Sequence, residues 1–116
     1  MATLEKEKKG VKSKLEAKQK TIKEVLTSYT KGGYGNTKDL KNVAVFDDER
    51  SRYLVMVQGL DKEGQRINDI FCHVEILTDG IILIMENNSD EEITEDLVKK
   101  GIKREEITNT NLLFYS

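Results

Sequence analysis

The chain has 116 residues, 37% hydrophobic and 34% charged, with a formal net charge of −2. That size and apolar share suit one domain with a single core, and the charge excludes a global positive field of the kind that drives nucleic-acid backbone binding. Cys72 is the only cysteine, which excludes an internal disulfide, and no stretch approaches the ~20 apolar residues of a membrane span. A soluble cytoplasmic protein without a secretory leader is the expectation.

Charge is unevenly placed. Lys6, Lys8, Lys9, Lys12, Lys14, Lys18, Lys20 and Lys23 crowd the start, whereas Asp90, Glu91, Glu92, Glu95, Asp96, Glu105 and Glu106 dominate a later stretch. Residues 1–12 contain Gly10 and little apolar surface to offset ordering entropy, so they read as a flexible Lys/Glu-rich segment ahead of one domain over 13–116. Leu15, Ile22, Val25, Leu26 and Tyr29 then recur at three- and four-residue spacings. That pattern predicts an amphipathic helix over 15–29 packed on a sheet. Leu4 and Val11 extend it to a heptad seam, but Lys8 and Lys18 fall on the same seam, which argues against a coiled coil. Gly32, Gly33, Gly35 and Asn36 form a connector that tolerates positive φ.

The period then changes. Residues 43–46 and 53–57 are β-prone runs around a polar turn, and 61–65 is a second turn with Gly64 available for positive φ. In a third strand over 66–76, alternation places Ile70, Cys72, Val74 and Ile76 on one face and Phe71, His73 and Glu75 on the other. A turn at Asp79-Gly80 leads to residues 81–85, apolar without alternation, as in a strand covered on both faces. Every connection is of hairpin length, so the predicted fold class is α+β: an antiparallel four-stranded meander flanked by an N-terminal and a C-terminal helix.

Ser89 stands three residues before Glu92, the spacing of a capping box, and predicts a helix over 90–100. Asp90, Glu91 and Glu92 suit its positive end and Lys99 and Lys100 its negative end. Gly101 followed by Ile102 predicts a Schellman stop closing on Leu97. The tail, with Leu112, Leu113, Phe114 and Tyr115, reads as a terminal strand or packed segment.

No set of residues assembles a catalytic, metal or cofactor constellation from sequence alone, and no cofactor is expected. His73 has no second histidine beside it, and Cys72 points to the opposite face of the strand, whereas zinc needs three or four convergent ligands. Asp47, Asp48 and Glu49 could ligate a divalent cation through oxygen. The bland reading is a solvated turn in which Asp47 or Glu49 pairs with Arg50 or Arg66. A small metal-dependent hydrolase using Asp47, Glu49 and His73 is the alternative, and it requires those side chains to converge. The lysines of the first helix are interrupted by Glu5, Glu7, Glu16 and Glu24 with no aromatic residue among them, which fits a solvated face better than a DNA contact.

The order of the block Phe46-Asp47-Asp48-Glu49-Arg50, Tyr53, Gly59-Leu60, Arg66, His73 and Gly80 resembles the XisI family, excision controlling factors of a cyanobacterial nitrogen-fixation DNA element. The family's Phe-Asp-x-Glu-Arg then Tyr is matched by Phe46, Asp47, Glu49, Arg50 and Tyr53. Its following Gly-Trp stands here as Gly59-Leu60, and its Lys-Ile-Trp-Ile strand as Ile81-Ile82-Leu83-Ile84, so this chain resembles a divergent member. The resemblance implies a small α+β domain acting as a non-enzymatic accessory factor beside a site-specific recombinase. It implies a nuclease-like XisH companion as the leading partner, with an antitoxin-like restraining role as a variant of that idea. The exposed polar residues of the matched block, Asp47, Glu49, Arg50, Arg66 and His73, are then the expected partner-binding positions. The run 81–85 further suggests a homodimer through a sheet face or edge.

Overall fold

In the computed structural model, residues 2–32, 34 and 39–110 are described, residues 2–11 by their backbone only. The expectations for Gly33, Gly35, Asn36 and the tail 111–116 fall outside them. The order is α1 (Ala2–Ser28), β1 (Leu40–Asp47), β2 (Arg52–Leu60), β3 (Arg66–Ile76), β4 (Ile82–Asn87), α2 (Ile93–Lys99), a 3-10 turn (Arg104–Glu106) and β5 (Ile107–Asn109). The fold is α+β, as the patterning predicted.

Strands β1 to β4 form the antiparallel meander, but the sheet has five strands rather than four. β5 joins it parallel to β4, pairing Ile107 with Ile82 and Asn109 with Ile84. A parallel neighbour needs a crossover of a dozen or more residues; the segment holding α2 supplies it. Three residues are too few for periodicity to reveal such a strand.

Ile22, Val25, Leu26 and Tyr29 from α1 and Ile93 and Leu97 from α2 pack on one sheet face against Tyr53, Val55, Cys72, Val74, Ile76, Ile82 and Ile84. Each such aliphatic side chain, removed from water, contributes about 1.5–3 kcal/mol. Leu83 is also buried, so β4 presents the three consecutive buried residues Ile82, Leu83 and Ile84, as its lack of alternation predicted. α1 is longer than the 15–29 span, and its packing begins later: Leu15 is 37% exposed and, among the described side chains, the first buried one is Gln19. Where α1 leaves the sheet its Lys- and Glu-rich sequence consists of good helix formers.

Two β-bulges reassign side chains. Val55 pairs with Cys72 but Met56 with Ile70, so Phe71 is the extra residue. A bulge re-aims its side chain, and Phe71 packs on the core with its ring centroid 6.1 Å from that of Tyr29, not on the face of His73 as strict alternation predicted. The second shift lies between His73 and Val74, where Glu86 and Ile84 are the partners and Met85 is passed over.

α2 also begins later than expected, at Ile93, with Glu92 at the cap position and no side-chain cap bond. The Ser89–Glu92 capping box is not formed. Ser89 Oγ instead donates to Asn87 Oδ1 at 2.6 Å and accepts from the Glu91 N–H, because Asn87 competes for the hydroxyl two residues upstream. The other end is as predicted: Ile102 N–H donates to Leu97 O and Gly101 N–H to Val98 O, with Gly101 at φ +106°.

Gly59 is the more demanding glycine. At φ +136°, a Cβ there would lie 1.6 Å from the Asp39 carbonyl oxygen, which accepts the Leu60 N–H. Gly101 has open space around it, so Gly101→Ala is expected to cost about 1 kcal/mol through backbone conformation alone. Gly59→Ala must also displace the start of β1 and is expected to cost more, roughly 3 kcal/mol. Denaturant midpoints of the two variants check the order; equal losses would mean that the Asp39 approach relaxes freely.

Candidate functional site

The matched block folds into a turn between β1 and β2 whose polar residues take different roles. Asp47 turns back on its own loop: its carboxylate accepts from the Arg50 backbone N–H and guanidinium, both at 3.1 Å. These contacts hold the Asp47 carboxyl below the usual range, the Arg50 N–H bond first among them. Glu49 is exposed and its side chain has no partner among the described residues. Ser51 closes the turn at φ +53°, uncommon for a residue with a Cβ; its carbonyl accepts from the Ile76 N–H at 3.0 Å, which ties the turn to the end of β3.

Asp48, one of the three acids of the turn and not among the expected partner-binding positions, is the hub. Its carboxylate accepts from Lys23 Nζ of α1 at 2.7 Å and from the buried Tyr53 hydroxyl at 2.8 Å, and its backbone carbonyl accepts from Gln19 Nε2 at 2.9 Å. Lys23 and then Tyr53 lower the Asp48 carboxyl, while burial and the same bond raise the Tyr53 hydroxyl above its ordinary value. The signal available in sequence was Gln19 itself. It sits four residues after Leu15 and three before Ile22, a polar residue on an apolar stripe, and it is only 8% exposed. A second tie joins Lys18 to the Gly80 carbonyl at 2.7 Å and to Glu106 at 3.1 Å.

His73 lies on the sheet face away from the helices. Register places Val45, Leu54 and His73 in one row, with Asp47, Arg52 and Glu75 in the next. Glu75 reaches Arg52 Nε at 3.5 Å and His73 Nε2 at 3.2 Å. That Nε2 atom is buried and makes no well-directed hydrogen bond, because the angle and not the separation decides. Cys72 is in the core, where burial pushes its thiol up to about 12. It is no partner for His73, in keeping with the alternation.

The five expected positions therefore do not converge. Asp47, Glu49 and Arg50 share the turn, His73 stands two strands away from Asp47 in the next row beside Glu75, and Arg66 pairs opposite Leu60 at the other end of β2. Arg66 is eight strand residues from the level of Arg52, about 26 Å. The hydrolase alternative required Asp47, Glu49 and His73 within reach of one ion, and the geometry does not supply that. Among the described residues no group of three His, Cys, Asp or Glu side chains could hold a metal ion, and no described helix is long and apolar enough to cross a membrane.

The sequence profile of the family described as XisI protein matches residues 12–110. A crystal structure of a XisI-like protein from Anabaena variabilis is similar at a TM-score of 0.71 and 31% identity, covering 81% of this chain and 84% of that one. The structure of the fdxN element excision controlling factor XisI from the same organism is similar at a TM-score of 0.64 and 24% identity, covering 81% and 83% of the two chains, a likeness of fold. No curated protein matches the sequence.

Because the Asp48 pKa is depressed in the folded state, its stabilisation is present above the unfolded value of about 3.9 and is lost as pH falls through the folded value. Stability of the native chain is thus expected to decline below about pH 4. Asp48→Asn should lower the denaturant midpoint at neutral pH and flatten that acid limb, leaving the part due to Asp47 and Glu95, whose pKa values are also lowered. Superimposable acid limbs would remove Asp48 as the hub.

Proposed function

The chain belongs to the XisI family, and we propose that it is a non-enzymatic accessory factor that controls excision of a DNA element by binding other proteins. The observation carrying this reading is the family match over residues 12–110. The dispersal of Asp47, Glu49 and His73 supports it further, since catalysis by these groups would need them within hydrogen-bond or metal reach of one substrate. The companion is a nuclease-like protein of the XisH kind, acting with a site-specific recombinase, and binding restrains or directs that companion.

Glu49 and Arg50 on the exposed turn, Arg66 at the opposite sheet end and His73 on the open face are the polar contacts of this reading, with Asp47 setting the turn. The same open face serves self-association. Val43, Val45, Leu54, Met56 and Ile70 occupy rows opposite to the helices, and Val45 is 48% exposed. A twofold contact would cover them.

Purified chain is expected to leave plasmid DNA intact with divalent cations present, and to bind a co-purified nuclease-like companion in calorimetry. Charge-removing changes at Glu49, Arg50 or Arg66 should weaken that complex, by roughly 2–5 kcal/mol where the pair is desolvated. Metal-dependent cleavage lost on Asp47→Ala would overturn the reading in favour of an enzyme. In sedimentation, a species of twice the 13.3 kDa chain mass is expected, reverting to monomer in Val45→Asp; a native chain that is monomeric at micromolar concentration counts against the dimer.

A further inference from the structure

A group of lysines lies in the groove between the two helices. The groove has a volume of about 820 Å³, and its walls carry Lys20, Lys23 and Lys31 from α1 and the turn after it, with Lys99 and Lys100 from the end of α2. Its floor is closed by Val25, 3% exposed, and by Tyr29, whose hydroxyl donates to Asp96 at 2.5 Å and so ties α1 to α2. Lys23 is engaged with Asp48. The side chains of Lys20, Lys31, Lys99 and Lys100 are exposed and form no ion pair among the described residues.

We propose that this groove is a docking site for an acidic, extended segment of a partner protein. Charge complementarity selects the sign: with Lys23 engaged by Asp48, four lysines without an ion pair line the groove against the three carboxylates Glu24, Glu91 and Asp96, an excess of positive charge. Length selects an extended occupant. The α1 wall from Lys20 to Ser28 runs about 12 Å at 1.5 Å per residue, the span of about four residues of extended peptide, so cations along it can meet successive carboxylates where a single small anion meets one or two. Glu24 and Glu91 select polypeptide over nucleic acid. They are exposed acceptors that main-chain N–H groups of a peptide can satisfy, whereas a phosphodiester backbone offers no donors to them. The one aromatic ring in the groove, that of Tyr29, is 9% exposed and offers no face on which a base could stack. The inference stands independently of the excision role, since it rests on the groove's charges and not on which protein carries the acidic segment.

The test uses the full chain and a fluorescein-labelled decaglutamate peptide, read by fluorescence anisotropy. Saturable binding that weakens with salt is expected, together with amide shifts at Val25 and Tyr29 in NMR titration. The reversal pair Lys99→Glu/Lys100→Glu should weaken binding at least about tenfold. The control pair Lys41→Glu/Lys62→Glu, equal in charge change but on β1 and the β2–β3 turn, should change it less than about twofold. Absence of binding at low salt, equal losses in the two pairs, or shifts confined to other surfaces would overturn the proposal. Tighter binding of a single-stranded or duplex DNA oligonucleotide, reversed by the groove pair, would reassign the groove to nucleic acid. A self-associated chain that the peptide dissociates would reassign it to a second copy of the chain. Unchanged circular dichroism of both pairs, expected because all four lysines are exposed, separates loss of binding from loss of fold.

Discussion

The Asp48 carboxylate, held by Lys23 from α1 and by the buried Tyr53 hydroxyl from β2, decides where the long helix lies on the sheet. Burial of Ile22, Val25 and Leu26 supplies the driving force, but that force is non-directional and tolerates sliding. Hydrogen bonds are not so tolerant. Asp48 with Gln19 fixes the middle of α1, Lys18 clamps it to the β3–β4 turn, and Tyr29 with Asp96 anchors its end to α2. Removing the carboxylate would take away the acceptor of the Tyr53 hydroxyl, leaving Gln19 and Ser51 as its neighbours.

That anchoring shapes the functional surfaces. Because the turn is gripped through Asp48 and Ser51, its exposed members Glu49 and Arg50 are presented on a fixed frame. Because both helices pack on one face, the rows containing Val45, Leu54 and His73 are left to the other. The bulge at Phe71 sharpens this division by sending a large aromatic to the core and leaving a small polar cluster of Arg52, Glu75 and His73 opposite.

The chain is a member of the XisI family and shares its fold with a XisI-like protein of known structure. A two-layer domain of this size has little room for an enclosed catalytic cleft, and its pronounced features are surfaces: a fixed turn, a partly apolar sheet face and a lysine-walled groove between the helices.

Much of this was legible without coordinates, and the reasons are local. Gly101 and Ile102 specify a Schellman stop because only a few residues and one left-handed conformation are involved. The meander followed from alternation and short connections, and the order Phe46, Asp47, Glu49, Arg50, Tyr53 pointed to the family. What failed depended on neighbours distant in sequence. Ser89 had the spacing of a cap, yet Asn87 took its hydroxyl. Phe71 had the parity of the open face, yet a bulge turned it inward. Among three consecutive acids, charge alone does not tell which one meets Lys23 and Tyr53. Local pattern and turn chemistry thus determined the elements and the family, because backbone preference acts over a few residues. Only the tertiary structure decided that Asp48 is the hub, that a fifth strand closes the sheet and that two helices enclose a basic groove, because each arises from contacts between segments tens of residues apart.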